Sequence, residues 1–255
     1  MKRLFLSLSV VVMLFAACTS QTKQNEQSEQ AAQTQQTEEN DESKQATQAQ
    51  QTEEYDEPEQ ASLFIEFQDA KAKEICLKNW DTNKDGELSF EEAAAVTKLG
   101  EVFKGSEISA FDELIFFTGL TSIEGWAFEE CSSLTCVAIP ESVTSIEKSA
   151  FNRCTSLASV IIPNSVISIG SWSFNKCTSL TNVTIPGSVT SIEGYAFYDC
   201  TSLTSICCMA TTPPKGGDDM FGKGCAIYVP SYSVRAYKSA KNWSRYADYI
   251  DGYGY

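Results

Sequence analysis

Apolar positions recur every 23 residues between Leu120 and Cys208. Ile123, Ile146, Ile169 and Ile192 open four units, Phe128, Phe151, Phe174 and Phe197 follow in step, then Cys131, Cys154, Cys177 and Cys200, then Leu134, Leu157, Leu180 and Leu203. Each leucine leads into a short alternation, Val137 and Ile139, Val160 and Ile162, Val183 and Ile185, Ile206 and Cys208, which predicts a strand with one buried face. Pro140, Pro163 and Pro186 end these strands, as suits a residue with no amide hydrogen for the ladder, and Met209 stands where the next would fall. A unit this short cannot bury its apolar side alone, so the period predicts a solenoid whose coils stack on one another. Past the fourth unit the period slips. Phe221, Cys225 and Pro230 lie one or two residues out of place, and residues 209 to 230 read as a degenerate terminal coil.

The units Leu120-Thr-Ser-Ile-Glu-Gly-Trp-Ala-Phe-Glu-Glu-Cys131 and Ser179-Leu-Thr-Asn-Val-Thr-Ile-Pro186 resemble the BspA-like, or treponemal-type, leucine-rich repeats of bacterial surface lipoproteins, over roughly half of the chain. The resemblance implies an α+β fold, a right-handed leucine-rich repeat solenoid of 23-residue repeats with parallel strands on one face and tight helical turns opposite. It also implies adhesion to host matrix proteins, host cells or other bacteria, without naming a ligand.

The flanks differ in kind. Residues 1–18 carry a basic start, an apolar run from Leu4 to Ala17 and then Cys18, which reads as a lipoprotein signal with Cys18 the lipidated first residue of the mature chain. The run is shorter than the about 20 residues of a membrane span. Phe15 stands where such signals usually carry leucine, and ordinary secretion with cleavage nearby is the alternative. Residues 19–61, rich in Gln, Thr and Glu, lack the apolar surface to offset their ordering entropy and read as a disordered tether. Most of the chain's net charge of -15 sits there, leaving residues 61 to 255 only mildly acidic. With no basic stripe to displace counterions, nucleic acid is excluded as a partner.

One motif carries sharp chemistry. Asp81-Thr-Asn-Lys-Asp-Gly-Glu-Leu-Ser-Phe-Glu-Glu92 matches a twelve-residue calcium loop, with Asp81, Asn83 and Asp85 as the first ligands, Gly86 at the sharp turn, the Glu87 carbonyl and Ser89 next, and Glu92 at the bidentate end. Leu88 is the apolar eighth residue. Ser89 and Glu92 also form a capping box for a helix over Phe90 to Lys98, so one carboxylate could serve helix or ion. A polar turn that holds no metal is the plain alternative. Phe64, Phe67, Ala70, Ile75, Leu77 and Trp80 supply the apolar side of an entering helix. Residues 62–106 therefore read as an EF-hand-like helix-loop-helix cap on a solenoid spanning 107–230. A single loop points to weak affinity and a structural Ca2+. Residues 231–255 close the far end with an amphipathic helix over Ser231 to Ala240 and with Val234, Tyr237, Trp243, Tyr246 and Ile250.

Ten cysteines in an exported chain invite a disulfide reading. Four of them share one position per coil, which fits small buried residues with weak S–H donors, and Cys76 packs in the first helix. A bond from Cys225 to Cys207 or Cys208 stays open, as does the state of Cys136. The absence of histidine removes the usual nucleophile pairs, so no enzyme is expected.

Two surfaces are candidates for a protein or other macromolecular ligand. Outward strand positions include Ser159, Asn182, Thr184 and Ser205, an uncharged face suited to a flat protein contact. On the turn side Trp126, Trp172 and Tyr195 share a column broken by Ser149. Trp and Tyr are enriched at interfaces, while rings there also pad the stack. The leading reading is a monomeric, lipid-anchored outer-membrane adhesion or interaction module, displayed at the cell surface or facing the periplasm, with structural calcium. The second is a calcium-dependent, dockerin-like assembly component of an envelope complex.

Overall fold

The computed structural model describes residues 63–254, so the signal, Cys18 and the tether over 19–61 lie outside the described residues. Helix α1, Ala70–Trp80, is capped by Asp69 and buries Ala72 and Cys76. The loop from Asp81 leads to the short helix α2, Phe90–Ala95, which Ser89 caps. This exit helix stops short of Lys98, because the chain turns extended at Val96 and sends Val96 and Leu99 under the first coil. Phe64 and Phe67 precede α1 in an extended strap, so they are not part of its apolar side, and Ala70 is exposed.

The coils follow. Strand β1, Ala110–Phe111, and a 3-10 turn over Asp112–Phe116 begin the stack. Then come β2 (Ser122–Ile123), β3 (Cys136–Ala138), β4 (Ser145–Ile146), β5 (Ser159–Ile161), β6 (Ser168–Ile169), β7 (Asn182–Ile185), β8 (Ser191–Ile192), β9 (Ser205–Cys208), β10 (Lys215–Gly216) and β11 (Ala226–Pro230). Helix α3, Val234–Ser239, and a last strand β12, Ile250–Tyr253, close the end, where Tyr237, Trp243, Tyr246 and Ile250 are buried. All pairing between these strands is parallel, and within the four regular coils it keeps the repeat register, Cys136 opposite Ser159, Asn182 opposite Ser205, Ser168 opposite Ser191, while the end strands β1, β10 and β11 pair out of it.

The side opposite the predicted strands differs from expectation. In place of helical turns, the Ser-Ile pair that opens each repeat forms a second parallel sheet, β10-β8-β6-β4-β2. Two tight turns follow in each coil, as in Ala127 N–H to Glu124 O at 3.2 Å and Cys131 N–H to Phe128 O at 3.2 Å. They bring two residues per coil into the left-handed region: Trp126, Ser149, Trp172 and Tyr195 at φ 57 to 63, and Glu130, Arg153, Lys176 and Asp199 at φ 57 to 63. Such backbone costs an L-residue about 1–2 kcal/mol. The neighbouring coil offsets it: in these conformations the amides of Trp126, Ser149, Trp172 and Tyr195 donate to Lys148, Ser171, Gly194 and Asp218 carbonyls, and those of Glu130, Arg153 and Lys176 to Asn152, Asn175 and Tyr198.

Columns fill the interior as the period predicts. The rings of Phe128, Phe151, Phe174 and Phe197 stack at 5.1, 5.2 and 5.0 Å with planes within 6°. Phe103 extends the column at one end and Phe221 at the other, so the slipped fifth coil still joins it. Each ladder cysteine donates its S–H to the carbonyl of a phenylalanine one coil back, Cys154 to Phe128 at 3.0 Å, Cys177 to Phe151 at 3.3 Å, Cys200 to Phe174 at 3.0 Å. Cys207, Cys208 and Cys225 are thiols, so the pairing left open for Cys225 with Cys207 or Cys208 is not made. Outside, threonines clip coil to coil, Thr144 Oγ1 to Thr121 O and Thr178 Oγ1 to Thr155 O.

The two sheets are not equally continuous. The Ser-Ile sheet runs unbroken, whereas the strand face divides into β1-β3-β5 and β7-β9-β11-β12, with no ladder between β5 and β7. Departures from the repeat gather at this joint. Gly170 replaces the glutamate of Glu124, Glu147 and Glu193, and a Cβ there would lie 2.7 Å from the Glu147 carbonyl carbon, so the coils approach more closely on that side. Ser149 replaces a ring, Ala158 a threonine and Ile167 another threonine.

Candidate functional site

The loop Asp81 to Glu92 is built by side chains that fold back on its own amides. Asp81 accepts from Lys84 N–H at 2.7 Å and Gly86 N–H at 3.0 Å, Asn83 Oδ1 from Asp85 N–H at 2.9 Å, and Asp85 Oδ1 from Glu87 N–H at 2.9 Å. Gly86 takes φ 86, where a side chain would strain the turn. Leu88 is fully buried. Glu92 joins the two ends of the loop. Its Oε1 accepts from the amide and hydroxyl of Thr82, both at 2.8 Å, and its Oε2 from the amide and hydroxyl of Ser89, both at 3.0 Å. The Ser89 amide, the Thr82 hydroxyl and their companions outweigh the slight desolvation and hold the Glu92 carboxyl at about 2.

In kind and order the donors suit a hard cation, since all are oxygens. Two details qualify the expected ligand set. The hydroxyl of Ser89 is taken up by the capping box, and the Glu87 side chain pairs with Lys73 at 2.6 Å, leaving only its carbonyl for an ion. Among the described residues no three acidic or cysteine side chains are gathered closely enough to hold a metal. The carboxylates are turned onto loop amides instead.

The second predicted surface is placed as follows. Ser159, Asn182 and Thr184 are exposed on the strand face and Ser205 is half-buried. The first three line a slot of about 350 Å³ where β5 and β7 part, together with Ile161, Asn164 and Met209. Ile161 and Met209 are 41% and 47% exposed, which marks the slot as the apolar part of an otherwise small and uncharged face. The period marks both positions, since each breaks its column, Met209 standing in a proline position and Ile161 in an outward one otherwise held by Ala138, Thr184 and Cys207, but only the fold brings them into one slot. Ser205 does not line this slot.

The turn-side column is separate from it. Trp172 and Tyr195 stack at 4.5 Å, and Tyr198 meets Tyr195 edge-on at 5.4 Å. Trp126 stands apart, with Lys104 and Lys148 ammonium groups 6.0 and 5.8 Å from its ring. Stacking sets the faces of Trp172 and Tyr195 against each other, which ties two neighbouring coils together.

Residues 100–221 match the family described as the BspA type leucine rich repeat region, in six copies. Among solved structures the chain is similar to the leucine-rich repeat protein TpLRR of T. pallidum, 27% identical over 44% of this chain and 52% of that one, with a TM-score of 0.37. A leucine-rich repeat protein of Bacteroides ovatus is 25% identical over 44% of this chain and 30% of that one, TM-score 0.39. A leucine rich cell surface protein of Faecalibacterium prausnitzii is 21% identical over 54% of this chain and 58% of that one, TM-score 0.25. The chain thus spans about half of the T. pallidum protein and less than a third of the B. ovatus one. No curated protein matches it. No helix among the described residues is long and apolar enough to cross a membrane.

Proposed function

We propose that this chain is a cell-envelope interaction module whose BspA-type repeats bind a macromolecular partner through the strand face. The observation that carries the reading is the slot between β5 and β7, where an uncharged face gains two exposed apolar side chains, Ile161 and Met209, beside the carboxamides of Asn164 and Asn182. A carboxamide both donates and accepts, as a main-chain amide does, so Asn164 and Asn182 suit a polypeptide surface. Anchoring through Cys18 and display at the cell surface belong to the same proposal. They are supported by the sequence of the first 18 residues and by the relative described as a cell surface protein.

Calcium is the second part of the proposal. Asp81, Asn83, Asp85, the Glu87 carbonyl, Ser89 and Glu92 would hold it, and the ion would tie the two ends of the loop together. The dockerin-like alternative, in which the loop itself docks a partner, ranks second because one loop is present in the sequence and the slot lies on the repeats.

The test is binding of the labelled full chain to immobilised matrix proteins and to intact bacteria, with and without chelator, for the wild type, Thr184→Arg and Trp172→Ala. Loss of binding in Thr184→Arg, with Trp172→Ala retaining it, is the expected result. Retention by Thr184→Arg with loss on chelation would move recognition to the calcium loop.

A further inference from the structure

The six residues before α1 touch three parts of the fold. The Ile65 amide donates to the Leu88 carbonyl at 2.8 Å, and Phe64 forms an antiparallel bridge with Ser89. Ile65 is 2% exposed and Leu88 fully buried, so the pairing has an apolar backing. Three residues after Ile65, the Gln68 amide donates to the buried Glu113 carboxylate of the first coil at 2.7 Å. Asp69 accepts from the amide and hydroxyl of Ser109, both at 2.6 Å, while its other oxygen caps α1 through Lys71 and Ala72 N–H. The Phe67 ring stacks 6.4 Å from that of Phe111.

On the loop side the bridge falls on residues next to the chemistry. Leu88 is the eighth loop position and Ser89 the ninth, and Ser89 bonds through both amide and hydroxyl to Glu92, the twelfth. One residue therefore separates the strap from the carboxylate that closes the loop. A force that repositions Glu92 acts on Ser89 and through it on the strap.

We infer that the strap Phe64–Asp69 supplies the support a lone loop otherwise lacks, so that calcium binding at Asp81 to Glu92 and docking of the strap between the loop and the first coil reinforce each other. The inference rests on the calcium reading above. Because coupling between two equilibria is reciprocal, calcium must protect the strap by the same factor by which the strap raises calcium affinity.

Amide hydrogen exchange read by mass spectrometry on the full chain, with calcium and with chelator, tests this beside calcium titration calorimetry. Exchange at Ile65 is expected to slow about tenfold with calcium in the wild type and to be unmoved in Glu92→Gln, and calcium affinity to fall about tenfold in Ile65→Pro, which removes the donor. Ile65→Ala keeps the amide and guards against a variant that fails to fold: it should lose part of the affinity while far-UV circular dichroism of the coils stays unchanged. Calcium binding of equal strength in the wild type, Ile65→Pro and Ile65→Ala, with Ile65 exchange in the wild type unaltered by calcium, overturns the inference and leaves the calcium reading standing. No binding heat in the wild type overturns the calcium reading and this inference with it.

Discussion

Phe151 sits at the middle of the ring column, and truncating it is the most direct probe of what holds the coils together. The side chain is fully buried, with Phe128 at 5.1 Å and Phe174 at 5.2 Å and planes within 1° and 5°. Removing a buried ring to Ala costs about 3–5 kcal/mol through lost burial and the cavity left behind. Against a typical total of about 5–15 kcal/mol, that is a large fraction of the stability of one domain. In Phe151→Ala the interface with coils on both sides weakens, so urea unfolding followed by circular dichroism should show an earlier midpoint, and a reduced slope if the two halves of the stack uncouple. A cycle of Phe151→Leu, Phe174→Leu and the double variant isolates the ring–ring part, expected at about 0.5–1.5 kcal/mol. A loss under about 1.5 kcal/mol in Phe151→Ala would show that the coils close over the gap, against rigid columns. A large loss with no coupling in the cycle would make the column a matter of buried area alone.

Three further outcomes follow from particular residues. Gly170→Ala should destabilise by more than about 2 kcal/mol, because its Cβ would meet backbone of the preceding coil at 2.7, 2.8 and 3.0 Å, and a thermal melt checks it. Burial, with Asp112 and Asp69 nearby, raises the Glu113 carboxyl above its ordinary value despite the Gln68 amide. The stability tied to Glu113 is therefore fully present below the unfolded-state value and is lost as pH rises through the folded one. Glu113→Gln should flatten that part of the pH–stability curve and leave the protein more stable at neutral pH, and equal slopes in both would argue against it. Cys131, Cys154 and Cys177 are buried and burial raises their thiols, so these should resist an aromatic disulfide reagent in the native state, while the more accessible Cys207 reacts before them.

What the sequence determined by itself was periodic. Residues 23 apart experience the same surroundings in a stack of coils, so the phenylalanine, cysteine and leucine columns and the inward valines and isoleucines were legible from spacing alone, while parallel pairing was implied by the family resemblance. The calcium-type loop was legible as a motif because its turns are made by local side-chain bonds to amides two to five residues away. Only tertiary structure decided the rest. A Ser-Ile pair is too short to announce a strand, and it becomes one because the identical pair in the next coil lies beside it. Trp126 or Lys176 in a left-handed conformation contradicts local preference, and the carbonyl of a residue 22 positions on makes it hold. The Phe64–Asp69 strap carries no pattern of its own, since its partners Leu88, Ser89 and Glu113 are distant in the chain. The slot at β5 and β7 arose where several columns were interrupted at one joint, and an interruption acquires a meaning only once the neighbouring coils are set against it.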